Sequence, residues 1–264
     1  MTTTVRSRRP RVAAAGWAPV RGLVPLGVLL VVWQIVGMVA PSPFFPPPTS
    51  WPAALTSLLP GGALAQGILS TLVTFAESLV IAFVLGSALG ILIGRNRVVS
   101  AALAPLLDFF RYLPAVALVP LIVLFAGYTQ TMKIYVVVFG AIWPILLQVR
   151  LVAGSLDPIL DDVRRVLGLS RGAGLAKIVI PAILPGALLG LRLASPLTLI
   201  LVLVVEISTQ VSGLGRMLGV AQQSYLPAQV FGLIVIIGVI AILIDLAISI
   251  VERWALRYRP RREP

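Results

Sequence analysis

Six stretches of this chain are long and apolar enough to cross a bilayer: Leu23–Ala40, Leu72–Gly94, Ala101–Ala126, Ile134–Val152, Ile178–Val205 and Val230–Val251. A hydrocarbon core about 30 Å thick is spanned by about 20 helical residues. Inside it every backbone N–H and C=O must find a partner within the protein, and for single segments of this length only a helix provides that. The sequence therefore predicts an all-α, polytopic membrane protein with about six transmembrane helices. Composition agrees: 59% of the 264 residues are hydrophobic and 11% are charged, against about 25% charged in an ordinary soluble domain. Gln34 requires cover from another helix. Pro114 and Pro120 in the third stretch, and Pro181, Pro185 and Pro196 in the fifth, predict kinks, because neighbouring helices can satisfy the freed backbone groups. The first stretch exceeds the apolar region of a secretory signal. No small-residue cleavage site comes after it before Pro41-Ser42-Pro43, so it reads as a span.

The chain carries 21 Lys and Arg against 9 Asp and Glu, and their placement sets the topology. Arg6, Arg8, Arg9, Arg11 and Arg21 precede the first stretch, and Arg253, Arg257, Arg259, Arg261 and Arg262 follow the last. Arg95 and Arg97 follow the second stretch, and Arg150, Arg164, Arg165, Arg171 and Lys177 lie between the fourth and fifth. The opposite side holds Lys133 and Arg216. Basic short loops stay cytoplasmic, so both termini are expected in the cytoplasm, as an even number of spans requires. The expected plan is a basic arm over 1–22, a transmembrane domain over 23–252 and a basic tail over 253–264. The positive charge then follows from topology against membrane lipid, with no nucleic-acid partner. The chain has no His and no Cys, which excludes thiol nucleophiles, His-based triads, Cys/His metal sites and disulfides.

Two connections stand out. The outer one, residues 41–71, has no charged residue and contains Phe44-Phe45-Pro46-Pro47-Pro48 before Trp51. It reads either as an interfacial belt with Trp51 at headgroup depth or as a lip that meets an external partner. The inner one, residues 157–177, begins with Asp157-Pro158, an N-cap followed by a first-turn proline. Leu160, Val163, Val166 and Leu167 recur at helical spacing, with Asp161, Asp162, Arg164 and Arg165 on the other face. Gly168 closes the segment, and Gly172 and Gly174 are expected to break the chain beyond it. Helices resting on lipid usually carry a uniformly basic polar face. The mixed charge here suits a protein partner better than headgroups.

The stretch Asp162-Val163-Arg164-Arg165-Val166-Leu167-Gly168, followed by Ile178-Val179-Ile180-Pro181, resembles the signature loop of inner-membrane permeases of binding-protein-dependent ABC importers. That signature is Glu-Ala-Ala, three residues, Gly, nine residues, then Ile-x-Leu-Pro. Asp162 stands for the Glu, Val163 and Arg164 for the two Ala, and Gly168, Ile178 and Pro181 match. Arg111-Tyr112-Leu113-Pro114, Glu206 with Ser212-Gly213-Leu214-Gly215, and Asp245 with Glu252-Arg253 resemble the taurine, aliphatic-sulfonate and nitrate branch, in which Thr74 stands where an Arg is expected. The resemblance covers residues 23–259. It implies an ATPase-coupling loop comprising Asp161, Asp162, Val163, Arg164, Arg165, Leu167, Gly168, Ile178 and Pro181. The implied partners are a second permease copy or paralogue, two ABC ATPase subunits and a soluble substrate-binding protein or lipoprotein. The implied location is a bacterial inner membrane. The implied substrate is a small anion such as a sulfonate, taurine or nitrate, or alternatively a thiamine precursor or another organic solute.

Charges inside the spans are candidates for function because hydrocarbon penalises them: Glu77, Asp108, Arg111, Arg192, Glu206 and Asp245. Asp108 and Arg111 share a helix face and read as a pair. Arg192 and Glu206 lie about 21 Å apart along one helix and need other partners. Glu206, Ser208, Thr209, Gln210, Ser212 and Gly213 are pathway or gate candidates, forming either a re-entrant turn or an exposed loop. The chain has no G-x-x-x-x-G-K-[ST] loop, so no cofactor is expected in it, and ATP and Mg would be bound by partner subunits. A secondary transporter would show inverted repeats with paired broken helices, which the sequence does not display. No pairing of base and nucleophile marks it as an enzyme.

Overall fold

The structure, a computed structural model, describes residues 18–257, with side chains from Val24 onward apart from that of Asp161. Arg6, Arg8, Arg9 and Arg11 of the N-terminal arm, the tail residues Arg259, Arg261 and Arg262, and the side chains of Arg21 and Asp161 therefore lie outside the described residues. Among the described residues eleven α-helices occur in chain order: α1 (Ala18–Val39), α2 (Trp51–Leu55), α3 (Ala63–Gly94), α4 (Arg97–Tyr112), α5 (Val119–Ala126), α6 (Gln130–Gly154), α7 (Ile159–Val166), α8 (Arg171–Gly174), α9 (Ile180–Thr209), α10 (Leu214–Gln223) and α11 (Pro227–Ala255). The described residues contain no strand.

Four helical runs, Pro60–Gly94, Gln130–Gly154, Arg171–Thr209 and Pro227–Ala255, are each long and apolar enough to cross a membrane. The expected third span is not one kinked helix. Its halves α4 and α5 meet at an angle of 82° and make a fifth crossing when counted together. The cause is local. Leu113 precedes Pro114 and takes extended angles (φ −70°, ψ 119°), as a residue before proline does, and Pro114 itself is extended. The apolar part of α1, Val24–Val39, is shorter than the others. Gln34 of α1 finds its cover in the outer connection, where it donates to Thr49 Oγ1 and accepts from the Thr49 N–H, each at 3.1 Å.

The core is the contact of α3, α6 and α9. Gly86, Gly90 and Gly94 recur every four residues along α3, and their bare Cα atoms face Ile142 and Ile145, then Leu146 and Val149, then Arg150 and Ala153 of α6. Small residues at this spacing let two membrane helices approach closely, where dispersion rather than hydrophobic transfer holds them together. Gly186 and Gly190 do the same on α9 against Val152 and Ile145. Ala82, Val136, Val137, Ala141, Ile145, Val149, Val202 and Val205 fill the centre with no exposed surface.

At the outer end Trp51 is buried. It stacks on Phe231 at 5.4 Å and meets Trp33 edge-on at 5.3 Å, and its indole N–H donates to the Pro46 carbonyl. The outer connection is therefore pinned to α1 and α11 by aromatic packing. Phe44 and Phe45 remain exposed on it.

Candidate functional site

The inner loop forms a helix whose apolar side is largely uncovered among the described residues, with Leu160 alone of the expected face partly buried. The Asp157 carboxylate accepts the Ile159 N–H at 2.9 Å and starts α7. Ile159, Val163, Val166 and Leu167 are all exposed, Val166 to 87%. On the polar side Arg165 and Asp162 pair at 3.4 Å in solvent. The end is a Schellman turn: Leu169 N–H donates to Arg164 O at 3.1 Å and Gly168 N–H to Arg165 O at 3.0 Å, with Gly168 at φ +63°. No atom lies within 4 Å of where a Gly168 Cβ would stand, so backbone conformation alone calls for glycine there.

Gly172 and Gly174 do not break the chain. The Ser170 hydroxyl accepts the Ala173 N–H at 3.3 Å and starts a helical run from Arg171 that continues to Thr209. Gly174 serves packing instead: it is buried, and a Cβ on it would overlap the stem of Arg164. The arginine standing where the signature has a small residue is thus matched by a glycine opposite it. Ile178 lies in a π-turn over Leu175–Val179, where Ile180 N–H donates to Leu175 O, just before Pro181, whose ring nitrogen has no hydrogen to donate.

The outer site is built around a buried ion pair. Lys133, near the start of α6, and Glu206, near the end of α9, meet at 3.1 Å with no exposed side-chain surface on either. Lys133 Nζ also donates to the Ser212 carbonyl at 2.7 Å and to Ser70 Oγ at 3.4 Å, which uses all three ammonium hydrogens. The other Glu206 oxygen accepts from Thr71 Oγ1 at 2.9 Å and from the Gly215 N–H at 3.0 Å. Thr71 in turn accepts the Leu214 N–H at 2.8 Å. Gly213 passes directly over the carboxylate, where a Cβ would overlap it. The residues after Glu206 thus form a tight turn, with Gln210 left-handed (φ 57°) and α10 folded back on α9, α11 and α3.

Of the predicted gate residues, Glu206, Ser212 and Gly213 come together. Ser208 and Thr209 bond back to Val204 and Val205 of their own helix, and Gln210 to Ile207. Lys133, Thr71 and Ser70 complete the cluster, and sequence reasoning does not single them out as site residues. Lys133 carries a signal, since it is one of two lysines in the chain and starts a span on the side poor in basic residues. Every polar group at the ion pair is satisfied, so in this conformation the cluster offers a solute nothing and acts as a strut.

The remaining charges lie apart from this cluster. Arg111 meets Asp108 at 3.2 Å, but the pair is substantially exposed rather than buried. Arg192 reaches Glu252 of α11 at 3.6 Å. Glu77 and Asp245 are exposed on α3 and α11 and make no ion pair among the described residues.

The family described as binding-protein-dependent transport system inner membrane component matches residues 82–257. The chain belongs to this family. It is a permease subunit of an ABC importer. The bicarbonate transport system permease protein CmpB of Synechococcus elongatus is 30% identical over 249 residues, covering 89% of this chain and 90% of that protein. The nitrate import permease protein NrtB of a Synechocystis strain is 30% identical over 241 residues, 88% of each. An inward-facing structure of the methionine ABC transporter MetNI superposes with a TM-score of 0.62 over 73% of this chain and 95% of that one. At 20% identity that likeness speaks to the fold.

Proposed function

We propose that this permease works as one of two copies, driven from the cytoplasm by ABC ATPases that seat α7, and that it imports a small oxyanion delivered by a soluble binding protein. The observation that carries the ATPase contact is the uncovered apolar side of α7. Ile159, Val163, Val166 and Leu167 on so short a helix suit a protein socket, with Asp162 and Arg165 pairing at its rim. Both termini then lie in the cytoplasm with the basic loops. ATP-driven closure below would push the two α7 helices together and rock the bundles, alternating access.

Glu77 supports the second copy. It sits near the middle of α3 on an exposed face, and a carboxylate there is not left against lipid. That face is better covered by another permease or by water along the path between them. The oxyanion follows from the relatives, which carry bicarbonate and nitrate, together with the sulfonate-type motifs.

The test is uptake into proteoliposomes holding the permease with its copurifying ATPase and binding protein. Bicarbonate, nitrate and an alkyl sulfonate are each supplied outside, with ATP inside. One of the three is expected to accumulate only with ATP and binding protein present. Accumulation driven by an ion gradient without ATP would make the chain a secondary transporter and end this reading.

A further inference from the structure

Alongside the inner half of α6, α4 leaves a cleft of about 680 Å³ lined by Arg97, Ser100, Asp108 and Arg111 of α4 and Gln148 and Arg150 of α6. The two helices run in opposite directions: Arg150 bonds Ser100 at the mouth, and Trp143 stacks on Phe110 further in. The charges are not evenly spread along it. At the deep end Arg111 is neutralised by Asp108 and also donates to Tyr112 Oη at 2.8 Å. At the mouth no carboxylate among the described residues lines the cleft. Arg150 spends Nε on Ser100 Oγ (2.9 Å) and Nη2 on the Ser100 carbonyl (2.8 Å), which fixes its guanidinium while leaving donors free. Arg97, one turn from Ser100, is exposed and makes no hydrogen bond or ion pair within the described residues.

Two arginines, one of them held in place, thus stand at the start of α4 and near the end of α6, on the side where the basic loops are expected to meet lipid headgroups. Planar guanidinium groups match phosphate oxygens in pairs. Apolar surface flanks the cleft along its length: Val98 of α4 and Leu151 of α6 at the mouth, and Leu106 and Phe109 of α4 further in, are all exposed. A free anion has no use for such a surface, whereas acyl chains do. Basic pockets between membrane helices on the cytoplasmic side are suited to anionic headgroups.

We propose that the mouth of the α4–α6 cleft is a specific site for the phosphate headgroup of an anionic phospholipid, held by Arg97 and Arg150. Its occupant would tie the start of α4 to the last turns of α6.

The test uses the intact transporter, permease with its ATPase, in nanodiscs of equal parts phosphatidylglycerol and phosphatidylcholine. Native mass spectrometry counts the lipids each permease retains. Wild type is expected to retain phosphatidylglycerol over phosphatidylcholine by about tenfold, the worth of one charge-assisted phosphate contact. Arg97→Gln removes no bond among the described residues and is expected to abolish most of that preference, and Arg150→Gln to do so as well. Equal retention of both lipids by wild type would overturn the site. So would a preference unchanged in both variants. A preference erased by excess inorganic phosphate would assign the cleft to a free anion and overturn the lipid assignment.

Discussion

Gly168→Val is expected to leave the permease inserted and folded while cutting ATP-driven uptake by about tenfold. The position is left-handed, at φ +63°, and its surroundings are empty, so the penalty is conformational rather than steric. A side chain there costs about 1–2 kcal/mol, and a β-branched one sits at the upper end. No described atom of the membrane bundle lies within 4 Å of where its side chain would begin, so the cost falls on the end of α7, where Val166 and Leu167 are displayed. A penalty of that size on the docked conformation corresponds to roughly a tenfold loss. Gly168→Asn is the matched control, because asparagine tolerates the left-handed region, and it should retain uptake within a few-fold of wild type. Uptake and ATPase activity of reconstituted transporter, read together, separate failed docking from docking without transport. Wild-type uptake in Gly168→Val would show that α7 is an ordinary surface helix.

Lys133→Met is expected to be the most destabilising single substitution at the outer end. It leaves Glu206 buried with two neutral donors and no counter-charge, a situation that costs about 3–5 kcal/mol. The melting temperature of the solubilised protein, followed by tryptophan fluorescence, should fall by about 10 °C. Glu206→Gln added to Lys133→Met removes the orphaned charge, while the amide oxygen can still accept from Thr71 and Gly215. The double variant should therefore recover at least half of the loss. A double variant as unstable as the single one would mean that Lys133 stabilises by packing alone.

Most of the bundle is legible in the sequence because apolar runs near 20 residues admit few structures, and because arginine placement orders them. The ends of the elements are less so. Pro114 reads as a kink from the sequence, yet with Leu113 extended the third crossing breaks outright. Gly172 and Gly174 look like breakers, yet Ser170 caps a helix that runs through them, and Gly174 is there to admit Arg164. The inner loop is readable down to Gly168, since amphipathic spacing and a terminal glycine are local signals. The outer cluster is not. Lys133 and Glu206 are 73 residues apart in the chain, and only the packing of α6 against α9 brings them together. The hydroxyls of Ser208 and Thr209 look available in sequence but return to their own helix, as such side chains do in apolar surroundings.

Contact between α7 and an ATPase can be measured at Val166, 87% exposed in the protomer. The chain has no cysteine, so Val166→Cys places a single thiol at the centre of the uncovered face. With a thiol-to-photoreactive cross-linker on it, the assembled transporter should give a permease–ATPase adduct whose yield changes when ATP is added. Labelling of lipid alone, with no ATPase adduct in either nucleotide state, would contradict a coupling role for this helix.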